Sequence, residues 1–244
     1  MKIRLLIAIL LFTPIVARCS PIYISNFSFD SEQLAGPGHL TVGAYERYSA
    51  DSAWASYTPG PIPGWNVAQD AFAGVWQPVV PGNYNENPPD GKQVAYSNGA
   101  RIWQVLSVTL QPSTDYTLTV NVGNRTDDYW DGYRISLYAG DTEVAFDDSS
   151  LKGKLKLGTF GTSIVKYTSG AGDPLIGQLL TIVLRGYGVS TVPVDFDSVQ
   201  LNGAPSGSSG AGGVLVPEPT AFGLLAAGIV ALALRRRHSR STTV

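Results

Sequence analysis

The sequence is poor in the side chains on which many enzymes depend. It contains one cysteine and two histidines among 244 residues. The cysteine, Cys19, has no partner within the chain, so an internal disulfide framework is excluded. His39 lies in a glycine-rich stretch without the spacing of a Ser-His-Asp triad or of a zinc site. The sequence therefore gives no support for thiol, serine-type or zinc-dependent catalysis.

Positive charge is scarce between the two ends of the chain. Of the 17 lysines and arginines, seven lie within the first 18 or the last 10 residues. The intervening chain, residues 20–216, has 10 basic and 18 acidic residues and a net charge near −8. Because nucleic-acid phosphates require a basic face, no nucleic-acid partner is expected.

The C-terminal residues 216–244 combine three features in a fixed order. These features are Pro217, Glu218 and Pro219, then a small and apolar run over about residues 220–234, then a basic tail over 235–240 that begins with Arg235, Arg236 and Arg237. The order resembles the PEP-CTERM sorting signal of Gram-negative bacteria, which an exosortase-type membrane protease recognises. The resemblance implies that such a protease is a partner of the chain. An ordinary tail anchor is the alternative interpretation.

The apolar run of this segment predicts one short membrane helix. About 14 residues from Ala221 to Leu234 would span ~21 Å as a helix, less than the roughly 30 Å hydrocarbon core of a bilayer. The positive-inside rule keeps the arginines in the cytoplasm and places the preceding chain on the far side of the membrane. The helix is therefore predicted to be a transient single-pass anchor that precedes processing.

Residues 1–19 have the layout of a secretory signal peptide. Lys2 and Arg4 precede an apolar run, and cleavage is expected before Ser20. Lipidation at Cys19 is the alternative interpretation. We therefore expect export across the inner membrane, followed by residence at the cell surface or in the extracellular matrix.

Between the two ends, the sequence alternates in the manner of β-strands. From Tyr116 to Val122, apolar and polar residues alternate, which places one set on a buried face. Numerous glycines and prolines separate such runs, which favours an all-β antiparallel jelly-roll sandwich over residues 20–203. A Gly/Ser-rich linker over residues 204–215 follows. The predicted strands are 101–110, 116–122, 132–138, 162–167, 179–184 and 192–201.

Several motifs occur in order along this region. They are Asn26–Asp30, Pro63–Trp65, Ile102–Leu106 leading to Leu110–Leu118, and Phe196–Leu201. Together they resemble the galactose-binding-like jelly roll shared by many carbohydrate-binding modules. The resemblance implies that the first and last strands lie side by side. The simplest role for the large apolar residues of these motifs is the core, namely for Phe27, Phe29, Leu106, Tyr116, Phe196 and Val199.

In the modules that the sequence resembles, a structural calcium ion often joins the opening and closing strands. The matching positions are Asp30 and Asp197, with Asn26 and Asp195 nearby. Carboxylates and backbone carbonyls are the oxygen ligands that calcium prefers. Because Asp195 and Asp197 share strand parity with Val199, a bulge or twist is needed to bury the latter. Solvated carboxylates without a metal are the alternative.

Aromatic residues in two polar segments predict contacts with a sugar. In one segment, Tyr129 and Trp130 would form a stacking platform, and Asp128 and Asp131 would accept hydrogen bonds from sugar hydroxyls. Further contacts are predicted from the loop-like stretch before the regular strands, namely from Trp54, Tyr57 and Trp76. The alternative for each aromatic residue is to pin its loop onto the sandwich.

These patterns favour an exported, non-catalytic protein that associates with extracellular polysaccharide. A structural or adhesion protein that contacts other proteins is the first alternative. A carboxylate-based hydrolase is the second, although nothing in the sequence selects a catalytic pair among the acidic residues. The sequence alone therefore predicts no enzyme activity.

Overall fold

The computed structural model describes residues 19–31, 56–59, 62–68, 72–126, 131–187 and 193–207, with only the backbone described at 56–59 and 72. Twelve β-strands lie within these ranges. Their bounds are β1 Ser20–Ile22, β2 Ser56–Pro59, β3 Asn66–Val67, β4 Phe72–Gln77, β5 Val94–Asn98, β6 Arg101–Thr109, β7 Thr114–Asn124, β8 Gly132–Ala139, β9 Thr142–Asp147, β10 Thr159–Thr168, β11 Leu179–Tyr187 and β12 Val194–Pro205.

The strands form two antiparallel sheets. One sheet has the order β10-β7-β12-β5-β4-β2, with β1 paired to β12, and the other has the order β3-β6-β11-β8-β9. Their inner faces share one apolar core, to which both sheets contribute. This arrangement confirms the predicted antiparallel sandwich. The strand that opens the domain beside β12 is β1, whereas the Asn26–Asp30 motif predicted to form it is a turn that contacts β12 through a hydrogen bond from Val199 N to Phe27 O at 2.9 Å.

Alternation in β7 explains how that strand joins the core. Tyr116, Leu118, Val120 and Val122 are buried, while the residues between them face outward. A strand of period two buries one face in this way. All six predicted strands are present, and β12 continues to Pro205, two residues into the predicted linker.

The predicted irregularity in the closing strand is also present. The pairing of β12 with β7 shifts between Asp197 and Gln200, and Ser198 has a φ of 51°. This bulge changes the parity of the strand. Val199 and Leu201 therefore point into the main core, although Asp195 and Asp197 project from the opposite face of the sheet.

The prediction that Phe27 lies in the core is wrong. Phe27 is 42% exposed, whereas Phe29 in the same motif is fully buried. The reason is a turn over residues 25–28 in place of a strand, in which Asn26 and Phe29 both have positive φ. Trp65 is buried nearby and donates its indole hydrogen to the Asn26 carbonyl at 3.1 Å.

No helix among the described residues is long and apolar enough to span a membrane. The predicted signal peptide and the predicted helix at about residues 220–234 lie outside the described residues.

Candidate functional site

A row of paired residues crosses the outer face of the larger sheet. Phe160 in β10 stands opposite Gly123 in β7, which stands opposite Asp195 in β12, which stands opposite Tyr96 in β5. Partners directly opposite each other project from the same face of a sheet. The row therefore places a carboxylate between a glycine and aromatic side chains, on the side away from the main core.

Asp195 is fully buried on this face, and its partners include Tyr84 and Arg125. The Tyr84 hydroxyl donates to its Oδ2 at 2.6 Å. Arg125 donates from Nε to Oδ2 and from Nη2 to Oδ1, each at 3.0 Å. This is the bidentate geometry in which arginine binds carboxylates most strongly.

Aromatic rings enclose the pair of charges. The Arg125 guanidinium lies 3.8 Å from the centre of the Trp76 ring. Tyr84 stacks on Phe160 with the ring centres 4.3 Å apart. Trp76, Tyr84 and Tyr96 belong to a small buried cluster that is separate from the main core. The low polarity of these walls strengthens electrostatic contacts with Asp195.

The loop between β4 and β5 brings Tyr84 to the carboxylate. Hydrogen bonds fix this loop to its neighbours: Thr126 N donates to Asn83 O at 3.0 Å and Asn85 N donates to Gly158 O at 2.9 Å. Phe160 N also donates to a carboxylate oxygen of Glu86, at 2.7 Å. The Tyr84 hydroxyl is therefore held over the sheet by contacts on both sides.

The open space for Tyr84 comes from Gly123. A Cβ atom at this position would lie 2.2 Å from the Tyr84 hydroxyl oxygen and 2.8 Å from a ring carbon of Phe160. Both distances are far below a van der Waals contact. The missing side chain thus makes room for the tyrosine directly beside Asp195.

The Trp76 indole nitrogen is a further feature of this site. It is buried and has no hydrogen-bond partner among the described residues. A buried donor without an acceptor costs about 1–3 kcal/mol. An acceptor on a bound molecule would remove that cost.

A second group of carboxylates lies near the bulge of β12. Asp197 is fully buried, and its Oδ2 accepts a hydrogen bond from Asp90 N at 2.9 Å. Burial, together with the charges of Asp30 and Asp90, raises the pKa of Asp197 to about 8. Burial also raises the pKa of Asp30, despite hydrogen bonds from the Lys92 and Gln93 amides.

One oxygen of these two carboxylates lacks a hydrogen-bond donor in the described structure. The Asp30 Oδ2 atom is buried without a hydrogen-bond partner in the described structure. Gly91, at a φ of 65°, passes so close that a Cβ there would lie 1.7 Å from this oxygen. No group of three or more His, Cys, Asp or Glu side chains in the described ranges is arranged to hold a metal. A cation would therefore need backbone carbonyls as additional ligands.

The four predicted calcium ligands do not all meet at this place. Asp30 and Asp197 are neighbours, as predicted. Asp195 is engaged by Arg125 and Tyr84 instead. The Asn26 side chain spans a turn, since its Oδ1 accepts from Ser31 N at 3.0 Å and its amide donates to Pro63 O at 2.9 Å.

The residues predicted to contact a sugar lie in several strands or outside the described residues. Trp76 is not an exposed loop residue, because it lies in β4 and is only 5% exposed. Tyr57 lies in β2 and pairs with Trp76 through the backbone. Asp131 is exposed and directly precedes β8. Trp54, Asp128, Tyr129 and Trp130 lie outside the described residues, as do Pro217, Glu218, Pro219, Arg235, Arg236 and Arg237.

Sequence reasoning missed Tyr84 and Arg125. They lie 111 and 70 residues from Asp195 along the chain, so no local spacing joins them to it. Arg125 directly follows the alternating run of β7, but nothing in the sequence identifies its partner.

Two family models match the chain. One, described as HpiC1 cyclase, matches residues 20–202. The other, described as the PEP-CTERM protein-sorting motif, matches residues 215–237. The second match confirms the predicted sorting motif, which implies export to the surface or exterior and processing by an exosortase. The chain matches no curated protein sequence.

Solved structures of cyclases resemble the fold. An apo cyclase from Fischerella sp. is 28% identical, with a TM-score of 0.63, and the match covers 78% of this chain and 98% of that one. A Stig cyclase, Fisc, from Fischerella sp. TAU in complex with (3Z)-3-(1-methyl-2-pyrrolidinylidene)-3H-indole is 29% identical, with a TM-score of 0.62 and coverage of 78% and 100%.

These matches correct the expected function. The expectation of a non-catalytic protein is wrong, because the family and the similar structures are cyclases. The xylan-binding CBM22-1 domain from Paenibacillus barcinonensis is 13% identical over 59% of this chain and 86% of that one, with a TM-score of 0.39. That likeness is too distant to support sugar binding.

Proposed function

The chain belongs to the HpiC1-like cyclase family, and we propose that it is an exported cyclase that closes a ring in a small aromatic molecule, with Asp195 as its acid-base residue. The observation that carries the proposal is the buried Asp195 carboxylate, held by Tyr84 and Arg125 within an aromatic cluster. Buried carboxylates with specific partners are frequent at functional sites.

Asp195 has the properties of a proton-transfer group. Hydrogen bonds from Tyr84 and Arg125 hold its two oxygens, and the bond from the Tyr84 hydroxyl still orients the carboxylate when a substrate displaces the guanidinium group. In the proposed reaction, one atom of the substrate bonds to one end of a double bond in the same molecule, and the π bond of that double bond breaks. The carboxylate accepts a proton from one position of that molecule and returns it at another, so the product is an isomer of the substrate and no oxidant is consumed.

The side chains around Asp195 are chemically suited to an indole-bearing substrate, which has to open this buried cluster to reach the carboxylate. The Fischerella enzyme was solved with an indole compound. Here the rings of Trp76, Tyr84, Tyr96 and Phe160 offer the flat apolar surfaces that bind such a ring system. Arg125 lies over Trp76, at the place where a ring would stack, so binding requires its guanidinium to move aside.

The first test is an isomerisation assay with the purified exported protein. Substituted indoles that can close a ring by isomerisation are incubated with it, and a product of unchanged mass is sought by chromatography with mass spectrometry. We expect product only with folded protein, and quenching of tryptophan fluorescence by the indole ligand of the Fischerella enzyme. Binding without isomerisation would contradict the catalytic half of the proposal. The absence of both binding and isomerisation would contradict both halves.

We also propose that Asp30 and Asp197 hold a structural calcium ion, with backbone carbonyls as further ligands. The fit rests on the buried, unpartnered Oδ2 atom of the half-buried Asp30 and on its electrostatic interaction with the fully buried Asp197, since the pKa values of both carboxyl groups are raised. A calcium ion supplies the positive charge that these groups lack. It would tie the opening segment to the closing strand.

Calcium is therefore expected to stabilise the protein. In thermal melts, saturating calcium should raise the Tm by roughly 5 °C or more over protein in excess chelator. Magnesium at the same concentration should have a smaller effect, because it demands a stricter geometry. The Asp197→Asn variant should lose the calcium response. A Tm that calcium and chelator leave unchanged would remove the metal from the proposal and leave the acid-base role of Asp195 intact.

A further inference from the structure

Three arginines stand side by side on the outer face of the smaller sheet. Arg185 in β11 is directly opposite Arg101 in β6 on one side and Arg134 in β8 on the other. Like charges directly opposite each other destabilise a sheet. Such a row is therefore costly unless anions balance it, and it occurs in a domain with an excess of acidic residues.

Within the described ranges, carboxylates of the protein form ion pairs with only one arginine of the row. Arg134 donates to Glu143 at 2.6 and 3.1 Å and to Asp148 at 2.9 Å. Arg101 and Arg185 form no ion pair with any carboxylate in the described ranges of the chain, and both are exposed. Two neighbouring guanidinium groups thus face solvent without a counterion from these ranges.

Contacts around the two arginines restrict how their guanidinium groups point. Arg101 lies over the rings of Trp103 and Tyr138, at 5.4 and 5.5 Å from the ring centres. Arg185 lies 5.2 Å from the centre of the Tyr187 ring and donates from Nε to Gly99 O at 3.2 Å. Stacked and hydrogen-bonded arginines lose less freedom when they bind a ligand.

A hollow of about 220 Å³ opens at this row, and its lining includes the three arginines, Ser136, Tyr138 and Tyr187. Glu143 also lines the hollow, and its contacts show how this surface binds a carboxylate. The hydrogen bond from Arg134 holds the pKa of the Glu143 carboxyl below its usual value, with help from Ser136 and Tyr138. The surface therefore already binds one carboxylate through arginine, serine and tyrosine.

We infer that Arg101 and Arg185 form a binding site for the carboxylate group of a small organic acid. A carboxylate is planar and matches the fork of a guanidinium group, and the adjacent rings offer a flat surface for the body of the ligand. The site lies on the outer face of the smaller sheet, whereas Asp195 lies on the outer face of the larger one. The inference is therefore independent of the proposed cyclase activity.

The test is a titration of the full, exported protein with benzoate, succinate and glucuronate, followed by NMR or calorimetry. We expect at least one of them to bind with a Kd on the order of 1 mM. Benzamide and glucose, which lack the carboxylate, should not bind. Preference among the three acids identifies the body of the ligand as aromatic, aliphatic or sugar-like. No binding of any of them at 10-fold higher concentration would overturn the inference.

Variants locate the site. Arg101→Gln together with Arg185→Gln should weaken binding at least 10-fold, and circular dichroism should show an unchanged fold because the change removes a like-charge contact. Arg185→Lys keeps the charge but loses the fork, so an intermediate loss is expected. Lys166→Gln removes an exposed charge from β10 in the other sheet and is the matched control. An equal loss in this control would show non-specific attraction and contradict the site.

Discussion

Asp195→Asn is expected to lower turnover in the isomerisation assay by about 10²- to 10⁴-fold, the usual contribution of an acid-base residue. Asparagine has nearly the same size as aspartate but cannot accept and return a proton. The substitution also removes the negative charge that pairs with Arg125. Breaking a largely buried ion pair by removing one partner costs up to about 3–5 kcal/mol, so a loss of folding must be separated from a loss of chemistry.

A double variant makes that separation. Asp195→Asn combined with Arg125→Gln removes both charges, and the two amides can hydrogen-bond to each other. We expect the double variant to melt at a higher temperature than Asp195→Asn alone, as coupled partners do in a mutant cycle, while turnover stays low. Turnover restored together with stability would show that Asp195 has only a structural role. A single Asp195→Asn variant that folds and keeps more than half of wild-type turnover would refute the acid-base role directly.

The strands that could be predicted are those with one buried face. In β7 the alternation from Tyr116 to Val122 reports a core on one side and polar contacts on the other. In β5 the first four residues, Val94 to Ser97, are all buried, because the main core covers one face and the aromatic cluster covers the other. Such a strand has no alternation to detect, and β4 beside it was missed for a similar reason.

The candidate site could be predicted only in part. The closing motif drew attention to Asp195 and Asp197, and their parity correctly required the bulge at Ser198. Their different roles depend on residues that are distant in sequence. Tyr84 comes from a long loop whose path is set by contacts with Gly158 and Phe160, and no local pattern encodes such contacts.

The two aspartates show how partners decide the role of a carboxylate. Both are fully buried on the same strand and face. Asp195 has an arginine against it, so its charge is balanced inside the protein. Asp197 has backbone amides and other carboxylates around it, which leaves a deficit of positive charge. The first environment orients the carboxylate that we propose as the acid-base group, and the second suits a cation.

Gly123→Ala is expected to disrupt the site without touching any charged group. The new methyl carbon would lie 2.2 Å from the Tyr84 hydroxyl oxygen and 2.8 Å from the Phe160 ring, so both rings must shift. Tyr84 then loses its 2.6 Å hydrogen bond to Asp195. We expect turnover to fall at least 10-fold, as small displacements at a reacting centre do, and the free energy of unfolding to fall by about 1–3 kcal/mol, as in other overpacked sites.

Gly172→Ala is the matched control, since a Cβ there meets nothing within 4 Å. It should leave both turnover and the unfolding free energy close to wild type. Tyr84→Phe in the Gly123→Ala background adds a second comparison, because a tyrosine already displaced from Asp195 has no hydrogen bond left to lose. We therefore expect the tyrosine substitution to lower turnover in the wild-type background but to change little after Gly123→Ala. Independent, additive losses would mean that Gly123 does not act through the position of Tyr84, and the proposed arrangement around Asp195 would have to be abandoned.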